Sequence, residues 1–149
     1  MTDSWTYTAP VVASWARARS VGTRRYTDPK HAAALECHRL HALAARPRGW
    51  RTDGVYVVAV SYCAPDRRRR DVDRVLSLVI DALIGVAYED DADRYLAGAH
   101  VSRLSGGDYL DVADSTRATI DPGTTRVRVT RIGDAPPVTA AKRRRRATK

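Results

Sequence analysis

The sequence predicts a single α/β (α+β) domain built on a mixed β-sheet with two main helices. Three observations carry this. Residues 55–63 (Val-Tyr-Val-Val-Ala-Val-Ser-Tyr-Cys) form an apolar run closed by Pro65, the signature of a strand buried inside a sheet. From Asp71 the apolar positions Val72, Val75, Leu76, Val79, Ile80 and Leu83 recur at helical spacing, with Gly85 placed to end the helix. Residues 124–132 (Thr-Thr-Arg-Val-Arg-Val-Thr-Arg-Ile) alternate with period two, as a strand with one wet, basic face does. At 149 residues the chain is long enough for one domain with a real core.

The remaining elements follow in order. Residues 5–13 are aromatic and β-branched, and Pro10 suggests an edge strand or a strand end. The basic segment from Arg17 to Arg25 lacks periodicity and reads as a loop or irregular hairpin. Asp28-Pro29 is a helix start, a capping side chain followed by proline in the first turn, and Arg46-Pro47-Arg48-Gly49 ends that helix near Ala45. A weaker strand is expected over about 94–104. Residues 105–108 are a turn, and 108–123 an extra hairpin or a long loop. The domain is drawn as 1–134. Residues 135–149, with Pro136-Pro137 and a Lys-Arg-Arg-Arg-Arg run, have no means of burying apolar surface and are expected to form a disordered basic tail.

Lys and Arg number 26 against 17 Asp and Glu, a net charge of +9 that favours polyanionic partners. Six of the basic residues follow Asp134, so the body of the protein is near +3. Cys37 and Cys63 read as free thiols in a reducing compartment. No apolar run approaches membrane-spanning length and no signal peptide opens the sequence. A soluble cytoplasmic protein is expected, nucleoid-associated or phage-encoded within a host cell, with no membrane partner.

The chemistry concentrates in residues 66–93. Arg67, Arg68, Arg69 and Arg70 lead directly into Asp71 and Asp73, and Asp81, Asp90 and Asp91 follow. On a helix from Asp71, residues Asp73, Ser77 and Asp81 share one polar line. If the following loop returns Asp90 and Asp91, the carboxylates converge into a hard-oxygen site suited to Mg²⁺ or Mn²⁺ beside a phosphodiester. The same residues admit a second reading, in which Asp71 and Asp73 cap the helix and the arginines neutralise the acids.

This stretch resembles the motif of the RusA family of Holliday junction resolvases. The family motif is an arginine-rich lead-in, Asp-x-Asp-Asn-x-x-Lys-x-x-x-Asp-x-Leu, a short loop and Asp-Asp-Ala-Gln. Here Asp71-Val72-Asp73-Arg74, Ser77 and Asp81-Ala82-Leu83 are followed by Asp90-Asp91-Ala92-Asp93. Tyr26-Thr27-Asp28-Pro29-Lys30 is similar to the helix start that follows the family's basic segment. The resemblance implies a RusA-like homodimer that acts as a metal-dependent endodeoxyribonuclease, resolving four-way junctions in branched DNA by paired nicks during recombination and repair. By motif position Asp71, Asp73 and Asp91 would be the catalytic, metal-binding carboxylates. Asp81, Asp90 and Arg74 would support them, while Arg67 to Arg70, with Arg24, Arg25 and Lys30, would contact DNA. Mg²⁺ or Mn²⁺ is the implied cofactor, with no small-molecule cofactor. Three positions depart from the family: its Asn is Arg74, its Lys is Ser77, and its Gln is Asp93. Serine cannot supply a cation to a developing pentacovalent phosphate. The alternative expectation is therefore a junction-binding protein of the same fold with weak or no cleavage.

Overall fold

A computed structural model describes residues 3–11, 19–21, 24–26, 29–65, 71–90, 95–104, 107–111 and 116–136. The chain begins with β1 (Ser4–Pro10) and a short antiparallel ribbon, β2 (Arg19–Val21) and β3 (Arg24–Tyr26). Then come α1 (Pro29–Ala45), β4 (Gly54–Cys63), α2 (Val72–Leu83) and β5 (Leu96–Leu104). A hairpin, β6 (Gly107–Asp111) and β7 (Thr116–Ile120), precedes β8 (Thr124–Asp134). This is the expected element order, with both ambiguous stretches resolved as two-stranded ribbons. Of the tail expected over 135–149, residues 137–149 lie outside the described residues, as does the expected capping residue Asp28, while Ala135 N–H donates to Asp53 O at 3.3 Å.

The main sheet has the order β1-β8-β4-β5. β8 pairs antiparallel with both β1 and β4, while β4 and β5 run parallel. The sheet is therefore mixed. Parallel neighbours need a crossover, and α2 provides it. β4 is interior, as its apolar run requires, and β1 is an edge strand with Pro10 at its last position. Asp121-Pro122-Gly123 turns the chain into β8: Thr124 N–H donates to Asp121 O at 3.2 Å, and Gly123 has φ +82°, the left-handed conformation that position i+2 of a type II turn demands. Near the other end of β8 the pairing with β4 slips by one residue, so Ile132 is bulged out and exposed.

One face of the sheet makes the core. Trp5, Tyr7, Tyr56, Val58, Val60, Val127 and Val129 pack there with Val79 and Leu83 of α2. On α2 the buried arc is wider than the periodicity alone indicates, because Leu78 and Ala82 are buried as well. The helix packs against both the sheet and α1, so two of its flanks leave water. α1 behaves differently. Its buried positions are His31, Ala34, His38 and Ala42, whereas Leu40 and Leu43 are exposed. Ala34 and Ala42 allow the close approach, and of the two buried histidines His38 is met by Tyr7, whose hydroxyl lies 3.1 Å from its Nδ1.

Burial, reinforced by the charge of His41, lowers the His38 pKa to about 4. Burial, then the charge of Cys37, raises that of Tyr7, so the pair is a neutral imidazole accepting from a phenol. The unfolded chain takes up this proton near pH 6.5 and the folded chain only near 4. The stabilisation is complete above pH 6.5 and is lost as pH falls towards 4, by up to about 3 kcal/mol. Urea unfolding at pH 7.5 and 4.5 should therefore show a steeper acid loss for the natural chain than for His38→Gln. Equal losses would exclude His38 as the cause.

Candidate active site at the first turn of the second helix

Two contacts fix how the helices lie. Arg39 Nη2 donates to Ile84 O at 2.7 Å and Arg46 Nη1 to Val86 O at 3.1 Å, so the C-terminal half of α1 lies beside the C-terminal end of α2. The helices run parallel, and their first turns share the opposite end of the molecule. That end also holds the last residues of β1 and β4, since Val11 N–H bonds to Gly123 O and Gly123 N–H to Cys63 O, both at 2.8 Å.

Asp71 is the N-cap of α2. Its Oδ1 accepts from Asp73 N–H at 3.1 Å, and its backbone is extended (φ −80°, ψ 116°). Its Oδ2 lies 3.7 Å from Arg74 Nε, an ion pair one turn apart with both side chains about half exposed. Such a pair contributes well under about 1 kcal/mol, so Arg74 screens Asp71 without locking it. Asp73 stands exposed in the first turn, and its carboxylate makes no ion pair among the described residues. Ser77 is half-buried on the next turn. Lys30, exposed in the first turn of α1, is at this same end. β3 brings Arg24 and Arg25 to the entry of α1, their side chains outside the described part, and Arg67 to Arg70 lie outside the described residues altogether.

The other acidic residues are elsewhere. Asp81 is half-buried near the end of α2, about 12 Å along the axis from Asp73. After α2 the chain turns through Gly85 (φ +80°), and Glu89 N–H donates to Thr52 O at 3.2 Å, just before β4 begins. Asp90 therefore sits at the far end of the helix, which is about 18 Å long. Asp91 lies outside the described residues. The loop does not return Asp90 to Asp71 and Asp73 within one chain.

Among the described residues no three His, Cys, Asp or Glu side chains form a metal-holding group. Two hard carboxylates do share the first turn of α2. Mg²⁺ is commonly held by one or two carboxylates, with water and substrate phosphate oxygens completing the shell, so this donor pair fits such an ion. The N-terminal ends of two parallel helices also favour phosphate at this end.

Sequence reading missed the groups that secure the opposite end. Trp50 Nε1 donates to Ala87 O at 2.9 Å, and the Trp50 ring meets Trp5 edge-on at 5.9 Å. Only the contacts of Arg39, Arg46 and Trp50 with residues 37 to 45 positions further on reveal these roles, and no local pattern announces them. Among the described residues no helix is long and apolar enough to cross a membrane.

No family model and no curated protein matches this chain. Among solved structures it is similar to a DegV family protein from Corynebacterium glutamicum, at 13% identity and a TM-score of 0.33. The match covers 90% of this chain and 50% of that protein, so the chain spans half its length. A likeness this loose carries no functional argument.

Proposed function

We propose that this protein is a metal-dependent, structure-selective endodeoxyribonuclease that resolves four-way DNA junctions as a homodimer of RusA type. The observation that carries the reading is the pair Asp71 and Asp73, side by side at an exposed helix N-terminus beyond the C-terminal end of the interior strand. Asp73 offers a carboxylate that makes no ion pair among the described residues, and Asp71 offers Oδ2, its Oδ1 being held by the helix. Mg²⁺ or Mn²⁺ bound there would supply charge neutralisation at a scissile phosphate and an acidified water. Lys30 and the helix N-termini would steer the phosphate backbone towards the two carboxylates.

The separation of Asp90 from this pair favours a site shared by two copies. A carboxylate from the α2–β5 connection can meet Asp71 and Asp73 if a two-fold partner presents it, and two such sites then face equivalent strands of a symmetric junction. The test is incubation of the full chain with labelled four-way junction and linear duplex, in Mg²⁺, Mn²⁺ or EDTA. Paired, metal-dependent nicks confined to the junction are expected. Equal treatment of junction and duplex would remove the reading.

Ser77 favours the second reading, junction binding with little cleavage. Restoring a cation by Ser77→Lys should then raise the nicking rate, by on the order of 10²-fold, with junction affinity in EDTA nearly unchanged. A rate that stays flat would show that the missing lysine is not what limits the chemistry.

A further inference from the structure

β1 is an edge strand, and its backbone hydrogen bonds can be assigned residue by residue. Val11 N–H bonds to Gly123 O and Arg131 N–H to Asp3 O, so the antiparallel ladder with β8 uses the odd-numbered residues, Trp5, Tyr7 and Ala9. The N–H and C=O groups of Ser4, Thr6 and Thr8 therefore point away from β8, and among the described residues no strand meets them there. Pro10, next in that series, has no N–H to offer and ends the free run. Sheet edges are normally blunted by charge, by a bulge or by proline. β1 carries no charged residue from Ser4 to Pro10, and its pairing with β8 runs without a slip. The opposite edge, β5, is different. It carries His100 and Arg103, and its pairing with β4 skips Ala97.

The helix beside this edge has an uncovered apolar stripe. An open groove of about 490 Å³ runs between Thr6, Tyr7 and Thr8 of β1 and His41, Ala44 and Ala45 of α1. Ala44 lies on one stripe of α1 with Leu40, Cys37 and Ala33, the spacing of a helix–helix seam, and none of the four is buried. Leu40 is 57% exposed. We infer that β1 and this stripe together form a contact with a second copy of this chain, the two β1 strands pairing antiparallel about a two-fold axis at Thr6. That register sets Thr6 opposite its own copy and Ser4 opposite Thr8. Every outward N–H and C=O of the three residues then finds a partner, and Pro10 falls beyond the ladder. A two-fold normal to the sheet keeps both α1 helices on the same face, and α1 packs on β1, so the two stripes face each other across the axis. A foreign peptide strand would satisfy the edge and leave the stripe in water; a second copy covers both. The four-stranded sheet is thereby doubled into one continuous sheet. This contact does not rest on the nuclease reading. The α2–β5 connection lies towards the other edge of the sheet, so a composite site would use a different surface.

Sedimentation velocity on the full chain, from low to high micromolar concentration, reads the assembly, and an even multiple of the chain mass is expected. Thr6→Pro removes an outward N–H without touching the ladder to β8, and it should halve that mass. Thr6→Val keeps the N–H and should leave the mass unchanged. Leu40→Glu/Ala44→Glu places repelling charge at exposed positions of the stripe and should also halve it. A natural chain that stays at one chain mass throughout would overturn the inference, as would a mass unchanged in both disrupting variants. Halving by the glutamate double alone would overturn the strand pairing. Hydrogen exchange followed by NMR on the natural chain decides the matter if Thr6→Pro does not fold. The amides of Thr6 and Thr8 should lose protection by on the order of tenfold on dilution, while those of Trp5 and Tyr7, bonded to β8, stay protected. Exchange at Thr6 and Thr8 that ignores concentration would overturn the inference. If the masses behave as expected and the chain nicks no junction, the interface stands and the nuclease reading falls.

Discussion

Asp73→Asn is expected to reduce metal-dependent junction nicking by on the order of 10³-fold, equivalent to about 4 kcal/mol of transition-state stabilisation, while junction binding in EDTA persists. The amide keeps the size of the side chain and removes its charge. The exposed first-turn position means that little else changes: a carboxylate there favours the helix dipole by only about 0.3–1 kcal/mol. Initial rates and thermal unfolding on the same preparations separate the two consequences. If Asp73 serves only the helix, the variant loses a little stability and no activity. Asp71→Asn sharpens the comparison, because asparagine is as good an N-cap as aspartate and preserves the bond to the Asp73 N–H. A fully active Asp71→Asn would remove Asp71 from the metal site.

Mixed dimers of Asp73→Asn and Asp91→Asn chains should nick one strand of a junction, although neither variant cuts by itself. The reasoning is geometric. Asp71 and Asp73 open α2, Asp90 follows its far end, and a helix of about 18 Å keeps those ends apart in a single chain. A two-fold pair that sets one chain's first turn against its partner's α2–β5 connection makes two composite sites. In the mixed dimer one of them receives both natural carboxylates and the other receives neither. Sites confined to one chain would leave every site in the mixed dimer broken. Co-expression with two different affinity tags yields the mixed species, and a nicking gel reads the outcome. A mixed dimer as inactive as its parents would end the shared-site arrangement.

Local sequence patterns made most of the architecture legible. The apolar run over 55–63 marked the interior strand, the heptad-like spacing after Asp71 marked α2, and period-two alternation marked β8. These signals survive without tertiary context because each reflects which side of one element meets water. α1 shows where that logic stops. Its leucines suggested nothing wrong about its length, yet Leu40 and Leu43 face outward while His31 and His38 are buried. A helix pressed closely against β1 and α2 selects small side chains and one hydrogen-bonded histidine, and Tyr7, thirty-one residues away, is what makes that burial tolerable.

The candidate site divides in the same way. The sequence left open whether Asp71 caps the helix or holds a metal; the structure places it at the N-cap and adds Arg74 as its ion-pair partner. The sequence did determine the basic alternation of Arg126 and Arg128. Whether Asp90 returns to the first turn was decided only by tertiary structure. The parallel crossover from β4 to β5 obliges α2 to run the length of the sheet, and the Glu89–Thr52 hydrogen bond fixes the following turn at its far end. Sequence spacing measures distance along a chain; the sheet topology decides which residues separated along it meet.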